Sequence, residues 1–396
     1  MLARSTGSRS AGSGVRSSIA GLLPGHGGIT DRSVGNRGTG HAPAPPSLGP
    51  VRAVQYDEYA APPRVVEVPE PVCGPDDAVV EVHATGVCRS DWHAWRGCDP
   101  VDLPQVPGHE WAGIVVETGA RVRRVAVGQR VTAPFVCGCG ACALCRAGDA
   151  QVCEAQQQPG FTMPGSYAER VLVPAADTNV VVLPDAVETV AAAALGCRVA
   201  TAHRAVAAHG ALREGQWQLV LGCGGVGLSA VLVARALGAR VVAVDTSPAA
   251  RDRAVELGAE LALDADDLDA VVRRVHEETG GAHVGLDAVG SPALVRTSLR
   301  ALRPRGRHVQ VGLLLGEDAA TAVPMDLVVA RELAVLGSHG MPAVDYPALL
   351  DLVASGRLDP AALVGRTVDL AGAPAALAAM DAPAQEAGIV VVDPRA

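Results

Sequence analysis

The chain of 396 residues contains no lysine, so arginine supplies all of the fixed positive charge on its side chains. Aromatic residues are also scarce, at 3% of the sequence, and the formal net charge at neutral pH is −9. A net negative charge is not the electrostatic footprint of a protein that binds nucleic acid. We therefore expect no nucleic acid among its partners.

A convincing membrane or secretory segment is absent as well. The apolar stretch at residues 217–245 contains a cluster of glycines and the charged Arg235 and Arg240, which argues against a transmembrane helix. The short run "IAGLL" near the start is too brief for the hydrophobic region of a secretory signal. We expect a soluble, cytoplasmic protein with no membrane partner.

Residues 1–50 differ in composition from the rest of the chain. They are rich in Ser, Gly, Arg and Pro, with Asp31 as their one acidic residue, and such a segment cannot bury a core. We interpret them as a disordered extension or a non-native start. An organelle transit peptide is the alternative, but the segment has no clear amphipathic periodicity.

The remaining sequence changes character once along its length. Its length and its 49% hydrophobic content suit a globular protein of two domains. Short β-rich segments between Pro, Gly and Asp clusters run from Val51 to about Val173 and predict a mostly β domain. From about residue 199, strands alternate with helices, which predicts a parallel, doubly wound sheet. The tail from about Ser338 is too short for a core of its own and is expected to rejoin the first domain.

A glycine motif in the second half predicts a dinucleotide site. Gly222, Gly224 and Gly227 form G-x-G-x-x-G between a predicted strand and a predicted helix, and Asp245 ends the next strand. The glycines permit a tight turn, close approach of a pyrophosphate and helix–strand packing. Asp245 is positioned to bind the adenosine ribose and to repel a 2′-phosphate, which favours NAD over NADP. The alternative is that Asp245 is only a solvated strand end.

Two groups of residues have the chemistry of metal ligands. Cys88, His109 and Cys197 would form a Cys₂His set that leaves the fourth position of a zinc ion open, as catalytic sites require. Taken alone, a residue such as Cys197 is more often a small core hydrophobe. Five further cysteines lie within residues 135–153, one more than a closed tetrahedral site needs. A disulfide network is the alternative, but it suits a secreted protein.

The chain resembles the zinc-containing medium-chain alcohol dehydrogenases over about residues 51–396. The matching segments are "GVCRSDWH", "PGHEWAG", the cysteine cluster, "GCRVAT" and "GCGGVG", in this order. The resemblance implies a GroES-like, mostly β catalytic domain at 51–198 with a structural-zinc lobe at 135–155. It also implies an inserted Rossmann domain, a doubly wound parallel sheet of the α/β class, at 199–337. Residues 338–396 would complete the catalytic domain.

The resemblance also implies roles for individual residues. Cys88, His109 and Cys197 would bind a catalytic zinc, and Cys139, Cys142, Cys145 and Cys153 a structural zinc, which leaves Cys137 without a role. Residues implied in catalysis are Ser90 and His93 as a proton relay, Asp91 as the group that orients the ligand histidine, and Glu110 as a carboxylate near the metal. Residues implied in cofactor binding are Gly222, Gly224, Gly225, Val226, Gly227, Asp245, Thr201 and Arg89, while Phe135 would line the pocket.

The expected activity is reversible hydride transfer from a primary or secondary alcohol to NAD, giving an aldehyde or ketone. Two zinc ions per subunit and a homodimer or homotetramer are implied. A polyol, threonine or formaldehyde dehydrogenase is the first alternative, because specificity depends on pocket shape rather than on a motif. Arg198, beside Cys197, could favour an acidic substrate or could point to solvent. A zinc-free quinone reductase-like enzyme or a non-catalytic NAD-binding scaffold would be expected to lack the Cys–His–Cys set and the relay.

Overall fold

A computed structural model of the chain describes residues 49–382 and 388–396. The predicted extension at residues 1–50 therefore lies almost entirely outside the described residues. No helix among the described residues is long and apolar enough to cross a membrane.

The first part of the chain is built mainly from strands. Its strands are β1 Val51–Gln55, β2 Arg64–Val68, β3 Ala78–Gly86, β4 Trp111–Thr118, β5 Arg130–Thr132, β6 Arg170–Val173 and β7 Val181–Val182. Its helices are short: α1 Arg89–Trp95, α2 Ala143–Ala147, α3 Ala176–Asn179 and α4 Thr189–Ala193. β3 pairs antiparallel with both β4 and β6, which makes it the central strand of this part.

Strands and helices alternate in the second part. α5 Arg198–His203 continues into a π-helical turn at Arg204–His209 and leads to β8 Trp217–Leu221. The following elements are α6 Gly225–Ala236, β9 Arg240–Asp245, α7 Pro248–Glu256, β10 Leu261–Asp264, α8 Leu268–Thr279, β11 Ala282–Asp287, α9 Pro292–Ala301, β12 Leu302–Gln310, α10 Met325–Ala330 and β13 Ala334–Gly337. Their six strands pair in parallel in the order β10-β9-β8-β11-β12-β13.

This strand order is that of a Rossmann sheet. The order reverses between β8 and β11, and ligands of such sheets bind beside the carboxyl ends of the strands at that point. The glycine motif directly follows β8 and so lies there. The predicted fold class, a mostly β domain with a doubly wound parallel sheet, is confirmed.

The last described segments are α11 Tyr346–Ala354, β14 Val364–Asp369, α12 Ala373–Ala378 and β15 Ile389–Asp393. β15 pairs antiparallel with β3 and in parallel with β14. The chain thus returns to the first sheet, whose strand order is β14-β15-β3-β4-β5-β7, with β6 also on β3. The residue bounds of the predicted domains stay a prediction.

The core explains how the two sheets are held in place. All five residues of β8 are buried, as expected for a parallel strand covered on both faces. Leu219 and Leu221 face a cluster formed with α8 and α9, whereas Val220 faces the other way. The cluster around Val220 also contains Ala84 of β3 and Val391 of β15. A continuous apolar core therefore joins the nucleotide-type sheet to the first sheet.

A buried hydrogen bond connects this core to the segment before α5. The hydroxyl of Tyr346, on α11, donates to the carbonyl of Leu195 at 2.8 Å, and both residues are fully buried. Leu195 lies two residues before Cys197. The contact therefore fixes the approach of the chain to a predicted metal ligand.

We expect Tyr346→Phe to lower the free energy of unfolding by about 1–3 kcal/mol, because the buried Leu195 carbonyl loses this donor. Tyr59→Phe is the matched control. The Tyr59 hydroxyl donates to the Val101 carbonyl at 2.6 Å, but Tyr59 is 40% exposed, so water can replace the bond. Urea denaturation of both variants measures the difference, and equal losses would contradict the expectation.

Candidate functional site

Antiparallel pairing of β3 and β4 brings the first two candidate ligands together. Thr85 near the end of β3 pairs with Trp111 at the start of β4, and the Gly86 amide donates to the Glu110 carbonyl at 2.7 Å. Cys88 follows β3 and His109 precedes β4. Residues 21 positions apart in sequence therefore meet at one end of the strand pair.

The Asp91 carboxylate organises this end of the strand pair. Its Oδ1 accepts hydrogen bonds from the Gly108 amide at 3.0 Å and from His109 Nδ1 at 2.8 Å. Its Oδ2 accepts from the Cys88 amide at 3.1 Å and from the Tyr167 hydroxyl at 3.2 Å. Asp91 is fully buried. With Nδ1 of His109 bound to Asp91, Nε2 is the ring nitrogen left to bind a metal.

Cys197 completes the group from a distant part of the sequence. It precedes α5 directly, and the chain before it is held by the hydrogen bond from the Phe135 amide to the Gly196 carbonyl at 3.0 Å. The ligand atoms of Cys88, His109 and Cys197 all lie within 4.8 Å of one another, and all three residues are buried. The structure therefore brings the predicted trio together.

The electrostatics of the trio suit a metal. The Cys197 thiol, by hydrogen bonding to the Cys88 sulfur, holds the pKa of Cys88 well below its usual value, and Arg198 and His109 act in the same direction. A thiolate is the form of cysteine that binds metal ions. His109 Nε2 is buried and has no hydrogen-bond partner among the described residues. Such an atom is costly to bury unless a ligand satisfies it.

Two rings that the sequence did not indicate lie beside His109 and Phe135. Phe161 lies 5.1 Å from the His109 ring, between ring centroids, and His339 lies 5.3 Å from Phe135. The predicted pocket residue Phe135 itself lies 5.9 Å from His109. No motif marks Phe161 or His339, because both reach the site through long-range folding of irregular segments.

The predicted relay residues lie on and beside α1. The Ser90 hydroxyl lies 3.9 Å from the Cys88 sulfur. Nδ1 of His93 is buried and finds no partner in the described part of the chain. Burial lowers the pKa of His93, and the nearby charge of Arg89 lowers it further. A neutral imidazole at neutral pH is able to accept a proton.

Glu110 and Arg198 form a buried ion pair beside the trio. Arg198 Nη2 lies 2.9 Å from Glu110 Oε2, and the Arg198 amide donates to Glu110 Oε1 at 2.7 Å. Arg198 is 3% exposed, so the expectation that its side chain could point to solvent is wrong. Burial raises the pKa of Glu110 to about 7, although the charge of Arg198 opposes this shift.

The glycine turn has the close contacts that its motif predicts. Gly222 has φ +91°, which favours glycine. A Cβ on Gly227 would lie 1.8 Å from the Gly222 carbonyl oxygen, so helix α6 can approach β8 only without that side chain. Gly224 precedes α6 directly, and Gly225 and Val226 form its first turn with their amides toward the helix N-terminus. Free amides at this position are a binding site for phosphate groups.

Three other predicted cofactor residues are placed as follows. Asp245 ends β9, where its Oδ2 accepts from the Cys223 amide at 2.7 Å and its Oδ1 from the Ser247 amide at 2.8 Å. Thr201 lies on α5 with its hydroxyl buried and unpartnered among the described residues. Arg89 Nη1 donates to the Met380 carbonyl at 2.6 Å, so in this structure its guanidinium contacts the tail of the chain.

The four cysteines of the predicted lobe also converge. The sulfurs of Cys139 and Cys145 are 4.0 Å apart, and those of Cys142 and Cys153 are 3.7 Å apart. These distances exceed a disulfide bond but match the edge of about 3.8 Å in a tetrahedron with zinc–sulfur bonds of about 2.3 Å. Cys137 lies outside this cluster, packed in the core, where burial raises its pKa to about 12.

Fold and site together define a medium-chain dehydrogenase. Residues 74–185 match the family model "Alcohol dehydrogenase GroES-like domain", and residues 225–355 match "Zinc-binding dehydrogenase". The chain therefore belongs to the zinc-containing medium-chain alcohol dehydrogenase family, and it is an oxidoreductase with small-molecule substrates.

Individual relatives agree with this assignment. An alcohol dehydrogenase of Rhizobium meliloti is 35% identical over 76% of this chain and 87% of its own length. The alcohol dehydrogenase TADH of Thermus sp. ATN1 superposes with a TM-score of 0.80 at 34% identity, covering 86% of this chain and 99% of its own. A zinc-binding dehydrogenase from Sinorhizobium meliloti 1021, solved bound to NADP, gives a TM-score of 0.78 at 31% identity, covering 88% of this chain and 100% of its own.

The contacts of Asp91 lead to a prediction about metal affinity. We expect Asp91→Asn to weaken zinc binding at the Cys88, His109 and Cys197 trio about 10- to 100-fold, because the neutral amide orients and polarises the imidazole less well. Competition with a chromogenic chelator measures the affinity. The exposed Asp102, changed to Asn, is the matched control. Unchanged affinity in Asp91→Asn would show that the carboxylate does not support a metal ligand.

Proposed function

We propose that the protein is a zinc-dependent alcohol dehydrogenase that transfers a hydride reversibly between a primary or secondary alcohol and NAD. The observation that carries this proposal is the buried trio of Cys88, His109 and Cys197, with ligand atoms within 4.8 Å of one another and His109 Nε2 unpartnered in the described structure. Three ligands of this kind suit a catalytic zinc, because the fourth coordination position stays available to substrate.

The chemistry divides between the bound groups and the chain. Zinc, when bound, supplies Lewis acidity toward the alcohol oxygen, and the nicotinamide of NAD supplies the hydride acceptor. The chain orients the ligand imidazole through Asp91 and places the rings of Phe135 and Phe161 beside it. Thr201 offers a buried hydroxyl on α5 for contact with the cofactor.

Proton transfer is the second task of the chain. In our proposal, the Ser90 hydroxyl takes the proton of the alcohol and passes it toward His93, whose lowered pKa keeps the imidazole ready to accept it at neutral pH. Reduction of an aldehyde or ketone uses the same groups in the opposite direction.

The environment of Asp245 supports NAD as the cofactor. Its carboxylate lies at the end of β9 and accepts the amide of Cys223 in the glycine turn, so it borders the predicted ribose position. Arg251, a cation beside this strand end, donates to the Asp245 carbonyl at 2.7 Å and pairs with Asp264 at 2.9 Å. It is therefore already engaged rather than free to bind a 2′-phosphate. Because a structural relative was solved bound to NADP, the preference is tested by comparing kcat/KM with NAD and with NADP.

We assign a second, structural zinc to Cys139, Cys142, Cys145 and Cys153. Four sulfurs at tetrahedral spacing would saturate the ion and leave no position for substrate. This cluster would stabilise its loop, whereas the buried trio would hold the reacting metal.

The first test removes one ligand of the trio. We expect His109→Ala to lower the zinc content by one ion per chain and to reduce alcohol-dependent NADH formation at least 1,000-fold, since no other group supplies the Lewis acid. Zinc is measured by elemental analysis and NADH by its absorbance. Cys98→Ala is the control, because Cys98 is exposed and belongs to neither cysteine group. A His109→Ala protein that lacks this zinc and keeps full activity would refute the proposal.

The second test concerns the cofactor. We expect Asp245→Asn to lower the ratio of kcat/KM with NAD to kcat/KM with NADP about tenfold or more, because a charged acceptor for the ribose hydroxyls is lost, as is its repulsion of a 2′-phosphate. Asp252→Asn, an exposed position on α7, is the control. An unchanged ratio would remove Asp245 as the determinant of cofactor choice.

A further inference from the structure

Arg198 is the one arginine that is fully buried among the described residues. It directly follows the candidate ligand Cys197 and begins α5. Placing a guanidinium in the interior is costly unless other groups compensate its charge and its donors. Its contacts on two sides therefore need an explanation that the proposed catalytic chemistry does not supply.

The first side faces the metal trio. Nη2 of Arg198 forms an ion pair with Glu110 Oε2 at 2.9 Å, and it donates a hydrogen bond to the carbonyl of Val87, one residue before Cys88. The Arg198 amide holds the second carboxylate oxygen of Glu110 at 2.7 Å. One residue thus contacts both oxygens of Glu110, one through a hydrogen bond and the other through an ion pair. This fixes the carboxylate that follows His109 in the chain.

The second side faces the nucleotide turn. A Cβ built on Gly225 would lie 2.6 Å from Cδ and 2.8 Å from Nε of Arg198, and the three nearest atoms to that Cβ all belong to Arg198. Gly225 is the first residue of α6, within the turn that is expected to bind the pyrophosphate. The aliphatic stem of Arg198 therefore supports the glycine turn directly.

We propose that Arg198 is a positioning residue that couples the metal site to the dinucleotide turn. Its guanidinium contacts Glu110 and the segment that carries Cys88, and the aliphatic part of its side chain packs against Gly225. A shift of the turn displaces the guanidinium, and a shift of the guanidinium displaces Glu110 and the segment carrying Cys88. Coupling of this kind is reciprocal, so that dinucleotide binding changes zinc retention and zinc changes dinucleotide affinity. This inference rests on the proposed function, because it requires both zinc and NAD(H) to bind.

A double-mutant cycle between Gly225→Ala and Arg198→Ala tests the contact. Two quantities are measured on zinc-loaded protein: the Kd of NADH, from its fluorescence, and the rate of zinc loss to a chelator. Because Cys88→Ala removes a ligand of the trio, the zinc that this variant still releases comes from the four-cysteine cluster. The phase of zinc loss that the variant lacks is then assigned to the trio. When Arg198 is present, the methyl group that Gly225→Ala adds must displace the aliphatic part of the arginine side chain.

We expect Gly225→Ala to raise the NADH Kd at least tenfold and to accelerate zinc loss from the trio at least threefold when Arg198 is present. In the Arg198→Ala background, space for the methyl group exists, and the same change should alter each quantity less than twofold. Zinc loss is the decisive readout, because a purely local disturbance of the turn would leave it unchanged. Equal effects of Gly225→Ala in both backgrounds, or unchanged zinc loss when Arg198 is present, would overturn the inference.

Arg198→Ala leaves the Glu110 carboxylate buried without its cation and could prevent folding. The cycle is then run in the Arg198→Ala/Glu110→Gln background, which removes both charges. Arg204→Ala is the matched control, since Arg204 lies on the next helical turn and pairs instead with Asp345 at 2.6 Å. Failure of the starting protein to bind zinc at the trio or to bind NADH would overturn the proposed function. Binding of both with no energetic coupling would overturn only the role of Arg198.

Discussion

The buried carboxylate of Asp91 is the interaction on which the rest of the site depends. It joins the amide of Cys88, the amide of Gly108, the imidazole of His109 and the hydroxyl of Tyr167, which come from three separate segments of the chain. A buried carboxylate is tolerated only when its oxygens are satisfied, and here four donors satisfy them. The same bonds that make its burial possible also set the histidine tautomer and fix the loop before β4. Stability and the arrangement of the candidate ligands therefore arise from one group of contacts.

The two cysteine-containing groups differ in ways that follow from their surroundings. All three residues of the trio are buried, and the rings of Phe135 and Phe161 lie 5.9 Å and 5.1 Å from the His109 ring. Three of the four lobe cysteines are only partly buried and are carried by a short loop with one turn of helix, α2. Such a loop buries little apolar surface, so cross-linking by a metal is a more effective source of order there than packing.

Much of this arrangement could be predicted because it is encoded locally. The glycine motif, the strand before it and Asp245 lie within one short stretch, and the fold class follows from the change in periodicity after residue 199. Ligand chemistry makes Cys88, His109 and Cys197 a possible set, and the family resemblance supports their convergence, since no local spacing relates Cys197 to the other two. Phe161, His339 and the ion pair of Arg198 with Glu110 were not predicted, because they depend on how distant loops pack. The alternative of a solvent-facing Arg198 is wrong for the same reason. Its charge is buried beside Cys197 because folding brings Glu110, 88 positions earlier in the sequence, against it.

The balance of buried charge would favour a dication at the trio. Arg198 compensates Glu110, and as a guanidinium it cannot lose its proton to escape the interior, as a lysine could. Asp91 is compensated by its four donors. The thiols of Cys88 and Cys197 share the remaining acidity of the site: the hydrogen bond between them lowers the pKa of Cys88 and raises that of Cys197. A dication that prefers sulfur and nitrogen ligands would stabilise both sulfurs as thiolates and the imidazole in its neutral form, and zinc has this charge and this preference. Because Glu110 already has Arg198 as its partner, the two sulfurs and the His109 imidazole are the groups that would hold such an ion.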